Sequence, residues 1–419
     1  MILGVIPVIP GIIKHGNILI EMAKNVSLRF QVKQQIWVAV CKPNFLPLIT
    51  SLIMKQKIKF AVLFFLTATV SASCDKTPPV LPAVQTRTDS IYVIKGNAVL
   101  SPFGQLSQAR YGLVSATAGN KILFAGGWFN NKPSTRVDIF DMVTQTWSTA
   151  ELSEGRVGST TAVVGNKIFI AGGQKSSRVD IYDASTNSWS IMELSIARTS
   201  VASTTIGNKV FFAGGTTGYD TSKSSRVDIY DASTNLWSIA ELSEGRLAIA
   251  AASIGNKLFF AGGFTNEDYW GLDIFSSRTV DIFNASGNTW STNILSEARG
   301  NLTIIALNNK VFFAGGYGDK GASNKIDIYD NNTQSWSIAT LSQARQDFDA
   351  ATMGNKILFF TQAGTRMDIY DTFSNTWTTA DLNLPLSGST VIRAGNHVYV
   401  AGGAFNVGSL LNQVWKLEF

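Results

Sequence analysis

From residue 97 onward the chain is a succession of short apolar runs separated by polar, glycine-rich breaks. Arg156–Met192 shows the pattern in full. A run of small and β-branched residues (STTAVV) is followed by the break GNK and the run IFIAGG. A variable stretch, the run RVDIYD, the break DASTN and a final run carrying Trp189 complete it. Val, Ile, Thr and aromatic residues fill the runs while Gly, Asn and Asp fill the breaks, so each run predicts a short β-strand. No window keeps a helical period long enough to compete.

The second run recurs as GNKILFAGG from Gly119, GNKIFIAGG from Gly165, GNKVFFAGG from Gly207, GNKLFFAGG from Gly255 and NNKVFFAGG from Asn308. GNHVYVAGG from Gly395 is a further copy, and GNKILFFTQ from Gly354 is one that has lost its ending. The third run begins at Arg136, Arg178, Arg226, Thr279, Lys325 and Arg366, and Trp147, Trp189, Trp237, Trp290, Trp336 and Trp377 mark the fourth at spacings of 41 to 53 residues. A four-stranded unit cannot bury both its faces alone, so the copies must stack on one another. Four strands per unit at this period predict propeller blades around a central channel. The Gly pair, the aromatic ahead of the Trp and the Trp itself resemble the kelch repeat over residues 97–419. The Gly-His and Trp-Asp dipeptides of WD40 repeats do not recur.

First strands follow Arg110, Arg156, Arg198, Arg246, Arg299 and Arg345, with a seventh near Gly388. Gly-pair strands and third strands also number seven, the last third strand being Asn412–Phe419, but Trp-bearing fourth strands number six. Leu106 to Arg110 is spaced as Leu152 to Arg156 is, so Asn97–Phe103 is expected to be the missing fourth strand. The expected fold is an all-β, seven-bladed kelch-type propeller with four-stranded blades, closed by an N-terminal strand that removes an open edge.

Residues present in most copies are read as scaffold. The Gly pair allows close backbone approach or positive φ. The GNK turn is read as a tight hairpin whose Asn tolerates left-handed geometry. The Trps fill the seams. The six Arg, with Glu154, Glu244 and Glu297 beside three of them, are read as ion pairs or carbonyl ligands. Thr361 and Gln362 replace the Gly pair in the sixth copy, which predicts a locally weaker blade unless its strand end is rearranged.

Binding residues are then expected where copies differ, in the loops from second to third strand, which share a face with the fourth-to-first connections. The candidates are Trp128, Phe129, Tyr219, Phe264, Glu267, Asp268, Tyr269, Trp270, Tyr317, Asp319, Gln362 and Phe405. Two residues beyond each repeated Arg, nearer the axis, stand Gly112, Gly158, Ser200, Ala248, Asn301, Asp347 and Gly388. Kelch domains that bind peptides often carry Arg in this neighbourhood. Here it is mostly small and neutral, with Asp347 a further candidate, which argues against an acidic peptide.

Charge adds one correction to the picture. The net charge is +6, but residues 1–76 hold nine Lys/Arg and two Asp/Glu, leaving 26 basic against 27 acidic residues beyond them. The repeat region is near neutral and does not predict nucleic-acid binding. The basic N-terminal part reads as targeting: residues 54–73 combine three Lys, an eleven-residue apolar core from Phe60 to Val70 and a Ser-Ala-Ser cleavage site. Cys74 follows, as in the lipobox of bacterial lipoproteins, although Ser71 stands where Leu is usual. Residues 1–53 are expected to be a mis-called start or an unstructured extension, 74–96 a linker and 97–419 the propeller. The expected location is the outer membrane, periplasm or cell surface as a lipoprotein, and otherwise secretion.

The chemistry available is limited. With His15 and His397 as the only His and Cys41 and Cys74 as the only Cys, no usual copper or zinc ligand set and no Ser-His-Asp triad can be assembled within 97–419. Galactose oxidase, a catalytic kelch relative, needs His and Tyr ligands and a Cys-linked Tyr. No cofactor or metal is therefore expected. The expected function is a monomeric, non-enzymatic module presenting its variable face to a glycan or protein. The alternative is a carbohydrate-active enzyme, epimerase- or hydrolase-like, using Glu267, Asp268, Asp319 or Asp347 at the channel mouth.

Overall fold

Each expected run is a strand. In blade 2, Ser159–Val164, Lys167–Gly172, Ser176–Asp183 and Ser188–Arg198 pair antiparallel in chain order, with Thr161 opposite Ile170, Ile181 opposite Phe169 and Ile181 opposite Ser190. The computed structural model describes residues 85–86, 93–217, 222–267, 274–361, 364–385, 387–404 and 409–419. Among them, four-stranded units of this order begin at Val114, Ser159, Ala202, Ala250, Thr303, Ala350 and Thr390, here called blades 1 to 7. The first strands neighbour each other in a closed cycle, Val114–Ala118 lying between Ser159–Val164 and Thr390–Ala394. The result is an all-β propeller whose innermost strands line its axis.

The core lies between the blades. Side chains alternate across a strand, so a second strand such as KVFFA at Lys209–Ala213 feeds two seams. Val210 and Phe212 pack towards blade 2, and Phe211 and Ala213 pack towards blade 4. That is why these runs are apolar at every position rather than at every other one. Seven such apolar clusters occur among the described residues, each drawn from two consecutive blades. The Trps lie against the aromatic of the third strand, as in Tyr182 and Trp189 with ring centroids 5.0 Å apart.

The closing strand is longer than expected. Val93–Gln105 pairs antiparallel with Gln413–Glu418 from Val99 opposite Glu418 to Gln105 opposite Gln413, supplying the fourth strand of blade 7. Its first half runs parallel to the fourth strand of blade 6, with Ile94 opposite Thr379. Asn383 fastens it between the two, accepting the Leu100 N–H at 2.8 Å.

The repeated Arg is buried in every blade that carries it, and its carboxylate partner is the Asp of the RVDIYD strand. Arg156 donates from Nε and Nη2 to Asp180 at 3.0 and 2.8 Å and from Nη1 to the Gly172 carbonyl at 2.7 Å. Asp180 also accepts the Ser153 N–H at 2.8 Å, so one buried pair ties the incoming connection to the third strand. The neighbouring Glu is secondary: Glu154 reaches Arg156 at 3.2 Å from a partly exposed position.

One expectation needs correction. In the GNK turns it is the Gly, not the Asn, that takes the left-handed backbone, as at Gly165 (φ 56); in the NNK copy both Asn308 (φ 48) and Asn309 (φ 61) are left-handed. The Asn side chain instead reaches across the turn, Asn120 donating to Asp141 at 2.6 Å. In blade 6 the strand Lys356–Phe359 stops a residue short of its counterpart Lys209–Ala213, so the strand end is rearranged. Thr361 is buried at 9% exposure and is not among the residues with positive φ.

Candidate functional site

The antiparallel order places the second-to-third loops and the fourth-to-first connections on one face. At its centre the chain must leave a radial connection and turn down the axis to begin each first strand. It does so through a left-handed residue in all seven blades: Gly112 (φ 63), Gly158 (φ 66), Ser200 (φ 56), Ala248 (φ 52), Asn301 (φ 50), Asp347 (φ 50) and Gly388 (φ 62). Backbone hydrogen bonds join neighbours in this ring, from Gly112 N–H to Gly388 at 2.8 Å, Asn301 N–H to Ala248 at 3.1 Å and Asp347 N–H to Asn301 at 3.2 Å. Left-handed geometry is costly for Ser, Asp and above all Ala, by roughly 1 kcal/mol or more each. The seven seams supply the constraint that holds it.

All of this ring but Ser200 rims a cavity of about 650 Å³ at the channel mouth. Below the rim its wall is made of first-strand residues, including Ser115, Thr160, Thr161, Thr303, Asp349 and Thr390. The hydroxyls are tied across seams: Ser115 and Thr390 share a hydrogen bond of 2.7 Å, and Thr161 donates to the Ser115 carbonyl at 3.1 Å. Among the described residues neither Lys nor Arg lines the cavity, and the two carboxylates that do, Asp347 and Asp349, both come from blade 6. Loss of water pushes the Asp349 carboxyl up to about 6, against a weaker opposing hydrogen bond from the Val391 N–H of blade 7. Burial also raises Asp347, although Gln346 donates to it at 3.1 Å.

Around the mouth, in blades 1, 3, 4 and 5 the residue after the Gly pair bridges to the residue after the repeated Arg, pairing Trp128 with Tyr111, Thr216 with Thr199, Phe264 with Leu247 and Tyr317 with Gly300. These bridges carry the loop aromatics. Trp128 and Phe129 form a two-residue-turn hairpin with Lys132 and Pro133, the left-handed Asn130 and Asn131 making the turn. Trp128 is half-buried, while Tyr111 and Tyr317 are exposed. Tyr317 opens another hairpin whose Asp319 accepts from Ser276 of blade 4 at 3.1 Å.

The expected site residues separate into three groups. Asp347 lines the cavity, and Trp128, Phe129, Tyr317 and Asp319 stand on the loops of the same face. Phe264 does not present itself to a ligand: it is 8% exposed, its ring close against Gly300. Of Glu267 the backbone is described, opposite Ile274, while Cys74, Tyr219, Asp268, Tyr269, Trp270, Gln362 and Phe405 lie outside the described residues. Sequence reading missed Tyr111 and Asp349. Both had a signal. Tyr111 follows the repeated Arg at a position that varies from copy to copy. Asp349 is a carboxylate where other first strands carry Val114, Thr160, Ala202, Ala250, Thr303 and Thr390.

Comparison with protein families agrees with the repeat. The KLHDC2/KLHL20/DRC7 Kelch-repeats domain matches residues 200–403, and the Kelch motif matches residues 109–151 and 155–193. No curated protein matches the chain.

Proposed function

The chain belongs to the kelch-repeat family, and from that premise we propose that it is a protein-interaction module that binds its ligand at the channel mouth. The observation that carries this reading is the cavity rimmed by six of the seven left-handed residues, with Tyr111, Trp128 and Tyr317 on the loops around it. A rigid concavity edged by amphipathic aromatics suits a protruding segment of a partner. Two carboxylates and a wall of hydroxyls favour a ligand that donates hydrogen bonds or carries positive charge over an acidic one.

Affinity capture with the full chain tests the reading. A partner held by the unaltered chain should be lost with Asp347→Lys and weakened with the pair Tyr111→Ala and Tyr317→Ala. Capture unaffected by both would overturn the site. A glycan array distinguishes the glycan ligand, for which the same exposed aromatics would serve.

A second reading, a carbohydrate-active enzyme, rests on one observation: two carboxylates in the connection that leads into the first strand of blade 6, Asp349 raised to about 6 and Asp347 two residues before it, resemble an acid–base arrangement. Glycosidic bond cleavage abolished by Asp349→Asn would support it, and absence of turnover on sugars retained by the array would remove it. Export, and lipidation at Cys74, are proposed from residues 54–74 alone; intact mass of the native protein tests both.

A further inference from the structure

The outer rim of the ring carries an observation unrelated to the channel. Two outermost strands are extended by a further strand running parallel to them. On blade 5, Gln85 and Thr86 stand opposite Ser337 and Ile338. On blade 6, Val93 and Ile94 stand opposite Thr378 and Thr379, and Asn97 opposite Asp381. The register is the same, because Ile338 and Thr379 each face the buried Asp of their own third strand, Asp327 and Asp368. The added strand covers this position: Thr379 is 2% exposed, and Ile338 is half-buried.

In blades 2 and 3 the equivalent residues, opposite Asp180 and Asp228, are Ile191 and Ile239. Trp-Ser-Ile is thus common to blades 2, 3 and 5. Among the described residues no strand pairs with the outer edges of blades 2 and 3, and Ile191 and Ile239 are 55% and 59% exposed. Blades 1 and 4 carry polar residues there, Thr149 and Thr292. An edge with unpaired backbone groups and an uncovered β-branched side chain is a template for strand addition. Glu193 and Glu241, both exposed, stand two residues further along; Glu241 is already paired with Arg226 at 2.9 Å and accepts from Ser225 at 2.6 Å. An acidic residue at that place does not prevent addition, since Asp381 holds it in blade 6 opposite Asn97.

We propose that the outer edges of blades 2 and 3 dock an extended, basic segment of a partner protein, which adds as a parallel strand over Ile191 or Ile239, with a Lys or Arg towards Glu193 on blade 2 and in competition with Arg226 for Glu241 on blade 3. The main chain supplies the pairing, and the charges select the partner. This site is independent of the channel mouth, and either can fail without the other.

The probe is a synthetic peptide of residues 83–96, AVQTRTDSIYVIKG, which contains the backbone that extends blades 5 and 6 and carries Arg87 and Lys95. Titrated into the full chain and followed by fluorescence anisotropy, it should bind saturably. Binding should weaken about tenfold in the double variant Ile191→Lys/Ile239→Lys and several-fold in Glu193→Lys/Glu241→Lys. Thr149→Lys/Thr292→Lys should leave it unchanged. All these residues are exposed, so the variants should fold, which circular dichroism checks. Absence of binding, or equal binding to Ile191→Lys/Ile239→Lys, overturns the proposal. So does self-association of the unaltered chain that the same variant abolishes, which would give the edges to a second copy.

Discussion

Blade 3 and blade 7 fill equivalent places in one ring with opposite chemistry. In blade 3 the incoming connection is held by Arg198, fully buried, paired with Asp228 and donating to the Gly214 carbonyl at 2.8 Å. In blade 7, Val414 stands opposite Ala401 as Val227 stands opposite Ala213, which puts Trp415 in the place of Asp228. The residue two before Gly388, where the other blades have Arg, is Leu386. Charge has been exchanged for apolar bulk at both positions together. Blade 6, on the other side of that seam, has changed as well: Phe360 replaces the Ala and Thr361 the first Gly of the pair. Phe360 and Trp415 pack in the same cluster.

The comparison explains what the Gly pair is for. A Cβ on Gly214 would lie 2.6 Å from the Arg246 carbonyl of the next blade. The same contact recurs wherever the next blade opens with Arg, as for Gly402 against Arg110 at 2.5 Å. Blade 6 is followed by the blade that has no such Arg, and only there is the pair missing. The neighbour's connection therefore excludes a side chain there, in addition to the left-handed backbone of the Gly itself, φ 68 at Gly214. The Arg345 guanidinium follows the altered strand end, donating to Phe360 and Phe359 at 2.9 and 3.2 Å.

The largest effect should come from breaking the charged solution. Asp228→Ala leaves Arg198 buried without its carboxylate and should cost about 3–5 kcal/mol in denaturant unfolding. Arg198→Leu/Asp228→Leu, which imitates blade 7, should cost less than that single change. If the double variant is the less stable one, the two solutions are not interchangeable.

Next in size is the glycine contrast. Gly214→Ala, strained at φ 68 and pressed on the Arg246 carbonyl, should lose about 2–3 kcal/mol. Thr361→Gly should change stability by no more than about 1 kcal/mol in either direction. Equal losses would mean that the rearranged strand end has nothing to do with the absent Arg.

The smallest effect concerns the same seam at the channel wall, where Asp349 meets Val391. Its carboxyl is raised to about 6 from an ordinary value near 3.8, so folding favours the protonated form. That contribution is complete below about pH 4 and is lost as pH rises through 6. Asp349→Asn keeps an acceptor for the Val391 N–H and removes the charge. It should stabilise the protein by about 1–2 kcal/mol at pH 8 and by almost nothing at pH 4. Thermal unfolding across that range checks the slope; a constant difference would contradict it.

How much of this was legible in the chain follows from which contacts repeat. The strand order and the closing strand were readable, because every seam repeats the same apolar runs and one fourth strand was missing from the count. The Arg was recognisable as an ion-pairing residue, but its Asp lies inside RVDIYD, where strand alternation alone does not reveal a buried carboxylate. The GNK turn is not resolved by sequence because Gly and Asn both tolerate left-handed backbone, and in the NNK copy Asn308 and Asn309 both adopt it. At the site, Asp347 could be read from its place near the axis. Phe264 was misjudged because a loop aromatic looks the same in sequence whether it faces solvent or lies on a neighbouring glycine. That Gly, Ser, Ala, Asn and Asp share one left-handed backbone is invisible from composition, since the ring geometry imposes it.

The closing strand also has a consequence for the order in which the molecule is made. Val93–Gln105 is translated long before Gln413–Glu418, the strand it must pair with. Six blades can stack as they leave the ribosome, but the seventh waits until the distant end arrives. Until then the early strand has only blade 6 as a neighbour, and blade 6 too is synthesised late. Assembly therefore ends with a single coupling event between segments far apart in time, and a ribosome that stops shortly before Gln413 releases a seventh blade with only its two inner strands, Thr390–Ala394 and His397–Ala401, and no partner for Val99–Gln105.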